Sequence, residues 1–171
     1  MSFEDRLELG EIGEHVIDEF LRQHGWVPYW PEKGKRHPFD RLAASADKRK
    51  LCIVEVKTKY EREAYPDTGI NLSCFSDYQN IEMQYGVPIF LVFVDARKGQ
   101  VYGNWWADLL KSREPEEKAR RAGCLMYPWT QKGIVYFQTS PMKILHVIPK
   151  TAVEEIRKRR ISNWKENGAA S

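Results

Sequence analysis

Cysteine is scarce in this chain. Cys52, Cys74 and Cys124 are odd in number and none falls in a C-x-x-C pair, so the sequence offers neither a disulfide framework nor a structural zinc site. That usage fits a reducing compartment. Long apolar runs are missing too: the longest, Ile89 to Val94, falls far short of a membrane span. The opening MSFEDRLELGE is acidic where a secretory signal would be basic and then apolar. A soluble cytoplasmic protein with no membrane contact is expected. There is no Walker loop, dinucleotide fingerprint or Ser/His/Asp order, so no nucleotide cofactor is expected, and His15, His24, His37 and His146 lack ligand spacing. Repeats and low-complexity blocks are absent.

What is present suits one domain. With 171 residues and 42% hydrophobic content the chain can bury one core but not two. We expect a single domain over 1–166 and a disordered tail over 167–171. The net charge of +3 is only mildly basic, but the charge is clustered. Lys33, Lys35, Arg36, Arg41, Lys48, Arg49 and Lys50 outnumber Asp40 and Asp47, and Lys150, Arg157, Lys158, Arg159, Arg160 and Lys165 outnumber Glu154, Glu155 and Glu166. Such clusters fit either an anionic partner or plain solvated faces.

Leu7, Leu9, Ile12, Val16, Ile17, Phe20 and Leu21 follow helical spacing, and Gly25 stops that helix. A strand over Trp26 to Trp30, a basic loop to Pro38 and strands over Phe39 to Ala44 and Leu51 to Lys59 follow. Pro66 and Gly69 then read as a polar loop, and Ser73 to Tyr85 as a helix closed by Gly86 and Pro88. Pro88 to Asp95 is apolar on both faces, as in a central strand, with Gln100 to Trp106 after it. Beyond lie a charged helical stretch over 107–121, strands near Ile134 to Gln138 and Ile144 to Ile148, and a terminal helix over 151–164. The apolar residues past Trp105, including Trp129, Tyr136 and Phe137, either complete the core or supply an interface.

The stretch CIVEVKTKY, Cys52 to Tyr60, carries charge inside an apolar strand. Side chains alternate, so Leu51, Ile53, Glu55, Lys57 and Lys59 share one face and Cys52, Val54, Val56 and Thr58 the other. One face turns charged at Glu55 while the other stays apolar through Val56, as when a strand end leaves the core for a cleft. A hairpin turn centred on Asp47 and Lys48 pairs Leu42 with Ile53, Ala44 with Leu51, and Asp40 with Glu55. Two carboxylates with Cβ atoms about 4.5–5.5 Å apart repel each other unless a cation intervenes. Oxygen ligands of this kind suit Mg²⁺ or Mn²⁺, and Lys57 lies beside them on the same face. The plainer alternative is an exposed Glu55–Lys57 ion pair with Asp40 ending a turn.

Pro38-Phe39-Asp40, followed after a hairpin by Glu55-Val56-Lys57, resembles the motif of the PD-(D/E)XK nuclease superfamily, with one residue inserted between proline and aspartate. Within it the chain most resembles Holliday junction resolvase-like members, in which a glutamate on the first helix precedes the motif; here that is Glu14. The resemblance covers roughly residues 10–95. It implies an α/β fold with a mixed central β-sheet flanked by helices, a restriction-endonuclease-like core. It further implies a Mg²⁺- or Mn²⁺-dependent endodeoxyribonuclease of DNA recombination, repair or phage DNA processing, in a bacterial cell or phage-infected host. Asp40, Glu55 and the carbonyl of Val56 would hold the metal, with Glu14 bound directly or through water. Lys57 completes the catalytic set; with an ordinary pKa of about 10.4 it is almost all protonated near neutrality, which favours orientation and charge stabilisation over a role as base. Lys35, Arg36, Arg41, Lys59, Tyr60 and Arg62 are expected to contact DNA. Paired incisions need two copies, so a homodimer is expected. The competing reading is a catalytically silent DNA-binding or assembly module on the same fold.

Overall fold

The computed structural model describes residues 3–32, 37–59, 67–95, 98–111 and 129–148. Lys35, Arg36, Tyr60, Arg62, the terminal helix with its basic cluster, the tail and most of the charged stretch over 107–121 lie outside the described residues.

Helix α1 runs Phe3–Gln23 and is followed by β1 (Trp26–Tyr29), β2 (Arg41–Ser45) and β3 (Leu51–Lys59). Next come β4 (Asp67–Asn71), α2 (Leu72–Tyr85), β5 (Ile89–Asp95), β6 (Gln100–Trp105) and the short α3 (Trp106–Lys111). Strands β7 (Trp129–Gln131), β8 (Ile134–Gln138) and β9 (Lys143–Val147) complete the order. The central sheet has the order β1-β2-β3-β5-β6-β9. Only β3 and β5 run parallel within it. Their connection contains α2, as a parallel crossover requires. The result is a mixed α/β fold, as the sequence led us to expect.

Each face of this sheet has its own core. Ile17 and Leu21 of α1 pack on Cys52, Val54 and Val56 of β3 and on Val92 and Val94 of β5. On the opposite face Tyr78 and Ile81 of α2, with Trp106 and Leu109 of α3, meet Ile53, Leu91 and Phe93. Strand β5 is therefore buried on both sides, which explains its unbroken apolar sequence. Strand β3 carries the two-faced pattern that positions the site, because Glu55 and Lys57 continue the α2-side face begun by Ile53.

The structure corrects three expectations. The segment around Gly69 is a strand, not a loop: β4 pairs with β8, and β8 with β7, in a second antiparallel sheet. Gly69 is needed there because a Cβ would lie 2.6 Å from Ile134 Cγ2 and 2.9 Å from the Val135 carbonyl. The strand expected from Phe39 starts at Arg41, since Asp40 directs its backbone to a side chain instead of the ladder. The helical stretch after β6 begins one residue early, with Trp106 fully buried as its first residue. Phe137, Val135 and Met142 join the α2-side core, so these late apolar residues complete the monomer.

Candidate active site

The β2–β3 hairpin pairs Leu42 with Ile53 and Ala44 with Leu51, the register expected from the turn. The ladder ends at Arg41 and Val54. One position further, side chains replace backbone pairing. The Asp40 N–H donates to Glu55 Oε2 at 3.0 Å, and the Val56 N–H donates to Asp40 Oδ2 at 2.8 Å. Each carboxylate is thus fastened to the other residue's strand, and both face the end of β3. Asp40 Oδ1 accepts no hydrogen bond from the described residues.

Glu55 is 3% exposed, and the Lys57 ammonium and the Tyr78 hydroxyl both donate to its Oε1. Burial, and behind it the charge of Asp40, push the Glu55 carboxyl up to about 7 against the pull of Lys57. For Lys57, burial acts downward, but Glu55 and then Asp40 outweigh it and hold the ammonium above its usual value. Burial and then the Glu55 charge drive the Tyr78 phenol well above its ordinary range, so it stays a donor. Lys59, further along the same face, is lowered by burial and by its like-charged neighbour Lys57.

Glu14 approaches from the other side. Helix α1 can lie against the end of β3 because position 13 is glycine: a Cβ there would fall 1.9 Å from Thr58 Oγ1 and 3.5 Å from Val94 Cγ2. Gly10, three residues earlier, has nothing within 4 Å of its missing Cβ. The Glu14 carboxyl is raised by burial first and Asp40 second, with Arg41 opposing. Asp40 thereby lies between Glu14 and Glu55 electrostatically.

Arg41, expected to contact DNA, is engaged by protein carboxylates. It is 7% exposed and donates through Nε to Asp18 Oδ1 at 2.8 Å and through Nη2 to Glu14 Oε2 at 2.9 Å. A third bond reaches the Asp40 carbonyl at 2.7 Å through Nη1. Its fork ties α1 to the strand that carries Asp40. Asp18, also buried, accepts from the Trp30 indole N–H at 2.9 Å. Sequence reasoning missed Asp18, Trp30 and Tyr78. A carboxylate among the apolar positions of α1, one residue from buried Ile17, was the available signal for Asp18. Tyr78 adjoins Gln79, which is exposed while Tyr78 is not.

A cleft of about 670 Å³ opens beside Asp40, between α1 and the segment leading to β2, with Glu14, Trp30, His37, Phe39 and Arg41 on its walls. No group of three or more His, Cys, Asp or Glu side chains placed to hold a metal occurs among the described residues. Mg²⁺ needs fewer: one or two carboxylates, with waters and substrate oxygens filling the rest. Asp40 with its open Oδ1, Glu55 and the Val56 carbonyl fit that donor chemistry, and a carboxyl near 7 is one that a divalent cation would ionise.

No protein-family model and no curated protein matches the chain. Among solved structures it is similar to Hjc, a Holliday junction resolvase from the archaeal hyperthermophile Archaeoglobus fulgidus. The TM-score is 0.50 and the identity 13%, over 77% of this chain and 89% of that one. The two chains share a fold. At that identity the likeness speaks for architecture: a mixed sheet flanked by helices. No helix of the described residues is long and apolar enough to cross a membrane.

Proposed function

We propose that the chain is a metal-dependent DNA endonuclease that hydrolyses phosphodiester bonds, structure-specific in the manner of a resolvase. Recombination, repair or phage DNA processing would be its setting. The observation that carries this reading is the reciprocal fastening of Asp40 and Glu55 across β2 and β3, with Lys57 on the same face and Glu14 beyond Asp40. Asp40, Glu55 and the Val56 carbonyl would hold Mg²⁺ or Mn²⁺, and Glu14 stands next to Asp40. Such an ion supplies Lewis-acid polarisation of a phosphate oxygen and acidification of a water. Lys57, held protonated by its neighbours, would bind a phosphate oxygen and offset charge developing in the transition state. The phenol of Tyr78 fixes the Glu55 carboxylate from beneath. Lys59, with a lowered ammonium pKa, remains a proposed DNA contact, as do Lys35, Arg36, Tyr60 and Arg62.

Purified protein should nick or cut DNA with Mg²⁺ or Mn²⁺ and not in EDTA, and Asp40→Asn should abolish cutting while the protein stays folded. Undiminished cleavage by that variant would refute the assignment. We also propose a homodimer on DNA, since one carboxylate site cuts one strand at a time. Excess Asp40→Asn protein mixed with active protein on a cruciform plasmid should then give nicked circles in place of linear product. An unchanged product ratio would mean independent monomers.

A silent DNA-binding module is the second reading, favoured by one observation: both Glu55 oxygens already accept protein hydrogen bonds. It requires binding without cleavage under every metal tested.

A further inference from the structure

Trp30 is 51% exposed, yet its indole is held in place. Nε1 donates to Asp18 Oδ2, and Asp18 is itself 5% exposed and gripped twice by Arg41, at 2.8 and 3.2 Å. The Arg22 and Arg41 guanidiniums lie 5.2 and 5.7 Å from the ring centre. Trp30 belongs to neither apolar core cluster, so its half-exposed ring is held by a buried carboxylate and two guanidiniums and not by apolar packing. It lines the cleft of about 670 Å³ that also contains Glu14 and Asp40.

Charge narrows the choice of occupant. Among the described residues, Glu11, Glu14, Asp18, Glu32 and Asp40 border that cleft with Arg41, His15 and His37. Without a bound metal ion these carboxylates would repel a phosphate, whereas a flat uncharged ring bearing amino groups would find an aromatic surface and carboxylate acceptors. We propose that Trp30 is a stacking platform for an unpaired nucleobase next to the cleaved phosphate, so that the site takes branched, flapped or single-stranded DNA in preference to intact duplex. This rests on the nuclease reading for its place in a reaction, though the base-binding step itself needs no cleavage. Continuous duplex keeps its bases stacked on one another and cannot fill the cleft without unpairing. A flap or single-stranded branch supplies such a base at little expense. Asp18 and Arg41 are the positioning residues: they hold the ring and, through Glu14 and the Asp40 carbonyl, tie it to the carboxylates.

The test uses the full chain in EDTA, where nothing is cut, with 2-aminopurine placed either at the first unpaired position of a flap or inside a duplex. Wild-type protein should quench the unpaired probe and leave the duplex probe unchanged. Trp30→Ala should lose the quench and bind branched DNA about 5- to 150-fold more weakly, the range for one lost base–aromatic stack, with its affinity for duplex unaltered. Trp30→Phe, which keeps a ring but not the bond to Asp18, should retain most of the branched-DNA affinity and guards against misfolding as the cause. A quench that survives Trp30→Ala, or equal loss on branched and duplex DNA, overturns the proposal. Cleavage assays with Mg²⁺ or Mn²⁺ separate the two readings. Cutting whose branched-to-duplex ratio is unmoved by Trp30→Ala sinks the stacking site and leaves the nuclease standing. A Trp30-dependent quench without cutting of any DNA by the wild type does the reverse.

Discussion

Glu55 makes a quantitative prediction about the protein without metal. In the unfolded chain its carboxyl titrates near the ordinary 4.5; in the fold, burial pushes it up to about 7. Between those values the folded state binds more protons than the unfolded one, so stability must fall as pH rises through that window and level off above about 7. The gap corresponds to about 3 kcal/mol, a large share of a small domain's stability. Because Glu55 is 3% exposed, little solvent screening reduces this figure. Lys57, whose folded pKa is raised above an already high value, changes protonation only above the window. The assay is urea unfolding in EDTA at several pH values from about 4 to about 8, for wild type and Glu55→Gln, with the variant subtracting the other titrating groups, Glu14 included. The wild type should lose about 3 kcal/mol more than the variant across the range. Added Mg²⁺, which favours the ionised carboxylate, should recover stability near the alkaline end and not near the acid end, and only in the wild type. Parallel pH profiles for the two proteins would refute the account of Glu55 as a buried carboxyl kept neutral by its surroundings.

Gly13→Ala would raise helix propensity by about 1 kcal/mol in an exposed helix, but here the new Cβ meets Thr58 Oγ1 at 1.9 Å. Overpacking of about 1–3 kcal/mol should make the variant net destabilised in urea, and Thr58→Ala in the same chain should restore it, because that hydroxyl is the obstacle and is buried with no hydrogen-bond partner among the described residues. A stabilised Gly13→Ala single variant would contradict the close approach of α1. Arg41→Met leaves Asp18 buried without its guanidinium and should cost about 3–5 kcal/mol in the same assay. Adding Asp18→Asn should recover part of that loss; if Arg41→Met alone is neutral, Arg41 is free to serve DNA after all.

The hairpin register and the meeting of Asp40 with Glu55 were legible because two local signals agreed: a turn at Asp47 and Lys48, and apolar residues that face one another only in that pairing. Strand β5 was legible from its length and its doubly apolar pattern. Strand β4 was not, since Pro66 and Gly69 look like loop punctuation, and only contact with β8, far along the chain, makes glycine a strand residue. Asp18, Trp30 and the bond from Arg41 to Asp18 were missed for a similar reason. Their partners are 12 and 23 residues away in sequence, so each alone looks like an ordinary surface residue. The Tyr78–Glu55 bond, also 23 residues apart, depends on how α2 docks across the sheet, which periodicity does not specify.

The two bonds that join Asp40 to β3 place the setting of the candidate site in a turn that never touches it. Ser45 N–H to the Lys50 carbonyl, and Lys48 with its positive φ of 58°, fix how many residues pass between β2 and β3. A slip of one residue there would turn the side chains of one strand to the opposite face and carry Asp40 out of reach of the Val56 N–H, so the apolar pairing and the carboxylate pairing depend on the same turn. The turn over Ala46 to Lys50 therefore sets the spacing on which the proposed site depends while contributing no residue to it.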